Sequence, residues 1–270
     1  MIAGLVALLA VPLSAQTQPD NRSADDLGQT AMRVNAPAPK IILRAKDTVE
    51  HTYVRPRVAI GRLGDEAGKA FTPANFAVTY TGFSPQAQGA FQAAVDIWSQ
   101  LISSPITIRV NAVWEPLGVK VLGSAGSCDL WIDVPNGVAG VVYPDALADA
   151  IAGADQDQLG GGDPCDIDAS FNSDFADWYM GTDGNPPPGK WDLMSVVLHE
   201  LCHGLGFLGS ATVDDGVFVE DVNPVECDGV AGHGCWQLGA SFPVIFDEFT
   251  EDNLGIALRN AGTYPNNSVA

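Results

Sequence analysis

His199, Glu200 and His203 fall inside one short stretch, His-Glu-Leu-Cys-His, and no other part of the chain gathers ligand and base chemistry so closely. On a helix, residues four apart lie on the same face, one turn above the other. His199 and His203 are therefore predicted to offer two ring nitrogens to a single Zn²⁺. Glu200 is rotated by about 100° from His199. That places it beside the ion, where a carboxylate can take the proton of a metal-bound water. The bland alternative is a pair of ordinary histidines on an amphipathic helix. The chain has 4 histidines in all, and two of them sit in this pattern in otherwise apolar surroundings.

Such a trio needs a helix beneath it. The run from Trp191 to Leu198 is mostly apolar and lacks Gly and Pro, so a helix is predicted to enter the motif from there. Gly204 and Gly206 follow at once. A glycine just past the motif can take a left-handed conformation, end the helix and turn the chain. A turn there is what a third ligand from outside the helix requires.

Other elements are legible upstream. Phe76–Tyr80 alternates as a strand. Ser84 and Pro85 form an N-cap and first helical residue, and Ala90, Ala94 and Trp98, with Phe91 and Val95, give that helix a packing face. Ile106–Trp114 and Asp129–Val134 read as strands, Asp145–Ala152 as a short helix, and Ile167–Phe171 as an edge strand. Gly181–Gly189, with its three prolines, is a rigid loop feeding the motif helix, and Pro243–Phe249 a helix or turn over the core. The reading is an α+β fold with a mixed sheet, a long N-terminal helix and an active-site helix.

The chain has 270 residues and a net charge of −20, with only 13 Lys and Arg. That balance excludes nucleic acid and an anionic membrane surface as partners. Ile2–Leu13 is an apolar run too short to span a bilayer, followed by Ser14 and Ala15, so residues 1–15 read as an export signal. The expectation is a secreted protein with no membrane association after signal cleavage. Residues 16–70 hold most of the positive charge and several prolines and read as a linker or pro-segment, with a strand near Val58–Ile60. Residues 71–270 form the main domain.

Five cysteines fit an exported chain. Cys128 is expected to pair with Cys165 and Cys227 with Cys235, leaving Cys202 as a small buried residue. Between Gly153 and Asp168 lie Asp155, Asp157, Asp163, Asp166 and Asp168. This stretch reads as a flexible solvated loop, with a Ca²⁺ site as the alternative.

The order of these elements, with Asp166-Ile-Asp-Ala-Ser-Phe171 before the His-Glu-Leu-Cys-His helix, resembles the metzincin clan of zinc endopeptidases, especially its matrixin-like branch. The motif His199–Phe207 together with Phe246-Asp-Glu-Phe249 is similar to a group of secreted bacterial metalloproteases. The resemblance covers about residues 71 to 260. It implies a zincin-like fold, Zn²⁺ held by His199 and His203, Glu200 as catalytic base, and a protein or peptide substrate lying along the Ile167–Phe171 strand.

The chain departs from the clan's pattern twice. The position of the clan's third ligand is Gly209, and no methionine follows the motif, so the resemblance implies a C-terminally incomplete sequence. Candidate third ligands are His233, Asp214, Asp215, Asp247 and Glu248, or a residue beyond Ala270. Two functions are carried forward: a secreted zinc endopeptidase, and a non-catalytic secreted binding module with an incomplete zincin site.

Overall fold

A computed structural model describes residues 31–34, 40–45, 73–160, 162, 164–213, 230–236, 243–252 and 254–263. The fold is α+β and divides into two compact units. The expected strand at Val58–Ile60 lies outside the described residues.

The first unit comprises Ile41–Ala125 and Ile167–Leu201 among the described residues. Its centre is a mixed five-stranded sheet in the order β2 (Ile41–Arg44), β5 (Val121–Ser127), β8 (Ile167–Asn172), β4 (Ile108–Glu115), β3 (Phe76–Thr81). β3, β4 and β8 run parallel, and β2 runs antiparallel to β5. Parallel neighbours need a crossover, and α1 (Pro85–Leu101) supplies it between β3 and β4. Ser84 caps α1 as its side chain accepts from the Ala87 amide at 3.2 Å. Ala87, Ala90, Phe91, Ala94, Val95 and Trp98 are the buried face of α1. Phe91 meets Phe171 of β8 edge-on at 5.6 Å. Gly123 leaves room beneath that ring, since a Cβ there would stand 3.0 Å from Phe171 Cδ1.

One expectation changes here. β8 is not an edge strand: β5 and β4 flank it on either side, and all of its residues but Asp168 are buried. Its polar alternation resembled an edge, but Ser170 is spent on Glu115 Oε1 at 2.9 Å, and Asn172 holds the Gly118 and Val121 carbonyls. Met32–Arg33 and Ile41–Arg44, within the segment expected to be a linker or pro-segment, are strands β1 and β2.

Among the described residues, the second unit draws on the spans 29–40, 126–166 and 202–270. An antiparallel sheet β1 (Met32–Arg33), β6 (Leu130–Ile132), β7 (Val142–Pro144) carries two small cores. Trp131 and Tyr143 pack on one side with Val134, Val141 and Ala148; Leu130, Ile132 and Val142 pack on the other with Leu208 and Val244. Successive strand residues face opposite ways, so three residues of β6 serve both cores. The helices α2 (Asp145–Ala152) and α3 (Gln156–Gly160) follow, and a disulfide joins Cys128 to Cys165 as expected. The stretch expected to be a solvated loop therefore contains a helix and two buried carboxylates, Asp157 and Asp166. A hairpin of β9 (Ala211–Val213) and β10 (Gly234–Trp236) and a 3₁₀ turn at Ile245–Phe249 complete the unit. Cys235 is disulfide-bonded, and its expected partner Cys227 lies outside the described residues. Among the described residues no helix is long and apolar enough to cross a membrane.

Candidate metal centre

The motif lies on α4 (Leu193–Gly204). Its start is marked by Asp192, whose Oδ2 accepts from the Ser195 amide at 3.1 Å and the Ser195 hydroxyl at 2.5 Å. That satisfies an amide with no partner inside the helix. Leu193, Met194, Val196, Val197 and Leu201 are all buried. Trp98 of α1 donates its indole N–H to the Leu198 carbonyl at 3.1 Å and ties the helix's Leu193–Leu201 part to α1 in the first unit.

The helix ends as its glycines require. Gly206 has φ +108°, its amide bonds to the His203 carbonyl at 3.0 Å, and the Phe207 amide bonds to the Cys202 carbonyl at 3.0 Å. These are the two bonds of a Schellman cap. The turn brings the Phe207 carbonyl back to the motif, where it accepts from His203 Nδ1 at 2.8 Å. With the proton on Nδ1, the Nε2 lone pair is left for a metal, the usual outer-shell support of a histidine ligand. Burial also lowers the His203 pKa, partly offset by the Phe207 carbonyl, and so favours the neutral ring that a ligand must be.

His199 is half-buried on the turn before. Glu200 is fully buried, and neither carboxylate oxygen has a hydrogen-bond partner. Burial pushes its pKa up to about 8, with the nearby Ala125 amide pulling the other way. A fully buried carboxylate with no partner is costly, and it is the group the sequence assigned to a metal-bound water. Cys202 is a free buried thiol pushed up to about 12 by burial. A protonated thiol is not a ligand.

The third-ligand candidates are placed as follows. Asp247 is fully buried and spent on structure: it accepts from the Ser210 amide and hydroxyl and from the Val244 amide at 2.6–3.1 Å. Glu248 pairs with Arg259. His233 ends a turn in which its amide bonds to the Val230 carbonyl at 3.1 Å. Asp214 and Asp215 lie outside the described residues. Gly209 is exposed, and a Cβ there would sit 3.1 Å from Asp247 Oδ1. Among the described residues no third donor groups with His199 and His203. Two nitrogens and an adjacent base fit zinc as far as they go.

Acidic groups gather elsewhere, in a pattern that sequence reading did not find. Asp129, Asp145 and Asp157 each turn an oxygen to within 4.8 Å of one another, as do Asp145, Asp149 and Asp166. Only Asp157 and Asp166 were singled out in sequence. A usable signal was the adjacency Cys128-Asp129 and Cys165-Asp166, since a disulfide between the two cysteines must bring the aspartates together.

Residues 162–231 match the model of a family described as SPBPB7E8-like, about a quarter of the chain and including the whole motif. No curated protein and no solved structure matches.

Proposed function

We propose that the chain is a secreted zinc-dependent endopeptidase. The observation that carries this reading is the bond from His203 Nδ1 to the Phe207 carbonyl, which leaves Nε2 unprotonated one turn from His199 and beside the unpartnered Glu200. His199 and His203 would hold the ion. Zinc, when bound, lowers the pKa of a coordinated water toward neutrality and polarises a carbonyl. Glu200 takes the proton from the attacking water and passes it to the leaving amine. Its raised pKa suits both transfers near neutral pH. Strand addition alongside β8 is closed by β4 and β5, so among the described residues an extended substrate would add to the sheet's outer strands, β2 and β3. The apolar run Ile2–Leu13 and the Cys128–Cys165 disulfide support export.

The second reading is a non-catalytic secreted module with an incomplete site. Gly209, which has no side chain where the clan places a ligand, favours it. Metal analysis and proteolysis separate the two. The endopeptidase reading expects one zinc per chain and cleavage of an unfolded protein substrate, lost in Glu200→Ala with zinc retained. Cleavage undiminished in that variant refutes the role of Glu200. A chain without zinc and without cleavage supports the module.

A further inference from the structure

We propose that Asp129, Asp145, Asp149, Asp157 and Asp166 of the second unit form a Ca²⁺ site in which Asp145 is the shared ligand. The five come from four separate pieces of chain: the turn before β6, two successive turns of α2, α3, and the residue before β8. All five are buried, between 0 and 7% exposed. Asp145 belongs to both triads of mutually close oxygens. It is fully buried; its Oδ1 accepts from the Trp131 indole N–H at 2.7 Å, and its Oδ2 is buried with no hydrogen-bond partner.

The surroundings are built to hold these carboxylates in place. Asp149 Oδ1 accepts from the Gln156 amide at 2.8 Å, which joins α2 to α3. The Ser127 hydroxyl accepts from the Asp145 amide at 2.7 Å and donates to the Asp129 carbonyl at 2.6 Å. The disulfide ties together the residues just before Asp129 and Asp166, and the Cys128 amide bonds to the Asp166 carbonyl at 3.1 Å. Gly162 closes against the cluster: a Cβ on it would run into Asp157 Oδ1 and Asp129 Oδ2. A side chain at that position would fill the space between two carboxylates.

Charge decides what the space is for. Arg33 pairs with Asp129. The fully buried Asp145, whose Oδ2 has no hydrogen-bond partner, is discharged either by a proton or by a cation. In the cation-free protein burial first, and the neighbouring carboxylates second, push Asp145 up to about 9 and Asp157 up to about 7. The donor set is oxygen alone, which favours a hard cation over Zn²⁺, whose structural sites are built on nitrogen and sulfur. Mg²⁺ keeps most of its waters and uses one or two carboxylates, whereas Ca²⁺ takes many protein oxygens in flexible geometry.

None of the five aspartates belongs to the proposed zinc site, so each site can be tested without disturbing the other. The purified full chain is stripped with a chelator and titrated with Ca²⁺ by equilibrium dialysis; Tb³⁺, whose emission the adjacent Trp131 can sensitise, is run in parallel. The expected result is one or two Ca²⁺ per chain with a Kd below about 10⁻³ M, displacement of Tb³⁺ by Ca²⁺, and affinity weakened at least about tenfold in Asp145→Asn. Glu200→Ala is expected to bind Ca²⁺ as the unmodified chain does. Asp157→Asn serves if Asp145→Asn fails to fold. Absence of Ca²⁺ binding at millimolar concentration means the cluster is a proton-sharing acid group and overturns the proposal. So does Ca²⁺ binding that neither variant weakens.

Discussion

His203 Nδ1 and the carbonyl oxygen of Phe207 lie 2.8 Å apart, and the glycine between them makes that approach possible. Gly206 is at φ +108°, and a Cβ there would stand 3.2 Å from Leu147 Cδ2. Gly206→Ala is therefore expected to cost about 1–2 kcal/mol from backbone strain alone. It should also swing the Phe207 carbonyl away from the ring. Thermal unfolding reads the first effect and zinc retention during dialysis the second. Unchanged retention would show that the helix cap is structural only.

Glu200, the proposed base, carries a burial cost. Both oxygens are buried without a partner. Glu200→Gln is expected to leave thermal stability nearly unchanged near neutral pH, because one unpartnered buried polar group replaces another of the same shape. Proteolysis should fall by about 10²–10⁴-fold, the contribution of a positioned base. Zinc content, counted by metal analysis, should stay the same. A variant that loses stability as well as activity would point to a structural carboxylate.

The first turn of α4 depends on Asp192, which takes both the amide and the hydroxyl of Ser195. Asp192→Ala should lower stability by about 0.5–2 kcal/mol, the range for a lost N-cap. Denaturant unfolding measures it. Asp192→Asn, which can still accept from the Ser195 amide, should recover most of the loss.

Local signals were readable and long-range ones were not. Ser84 with Pro85 announced α1, and Gly206 announced the end of α4, because both are decided by backbone and side chain within a few residues. The interior position of β8 was hidden: it depends on β5, about 40 residues upstream, which pairs in turn with β2, more than a hundred residues before β8. Ser170 and Asn172 read as outward polar residues until Glu115 and the Gly118 and Val121 carbonyls are seen to receive them. The acidic cluster was hidden for the same reason. Asp129 and Asp145 lie in stretches that read as an ordinary strand and helix, and they meet only when the disulfide and α2 fold them together. The proposed ligand pair and base, His199, His203 and Glu200, were legible because one helical turn holds all three.

The Cys128–Cys165 bridge closes a loop with a sequence separation of 37. By loop-closure entropy it should contribute about 3–4 kcal/mol. Replacing both cysteines with serine is expected to cost about that much in denaturant unfolding and to weaken Ca²⁺ binding as well, since Asp129 and Asp166 each follow a bridged cysteine. Loss of stability with Ca²⁺ affinity intact would separate the bridge from the carboxylates.

Calcium and pH should act on the same carboxylates in opposite ways. In the cation-free chain Asp145 is raised to about 9 and Asp157 to about 7, against an ordinary value of 3.8. A raised carboxyl pKa means the folded state binds more protons than the unfolded state between the two values. Its contribution to stability is full below the ordinary value and is lost as pH climbs through the folded one. The stability of chelator-treated protein should therefore decline from about pH 4 through pH 7 and on toward pH 9. Saturating Ca²⁺ should lift stability most at the upper end of that window, where the protons have left and the carboxylates are charged, so the melting temperature becomes flatter with pH. Melting curves at a series of pH values, with and without Ca²⁺, measure this directly. Parallel curves at every pH would show that the ion does not bind where those protons do.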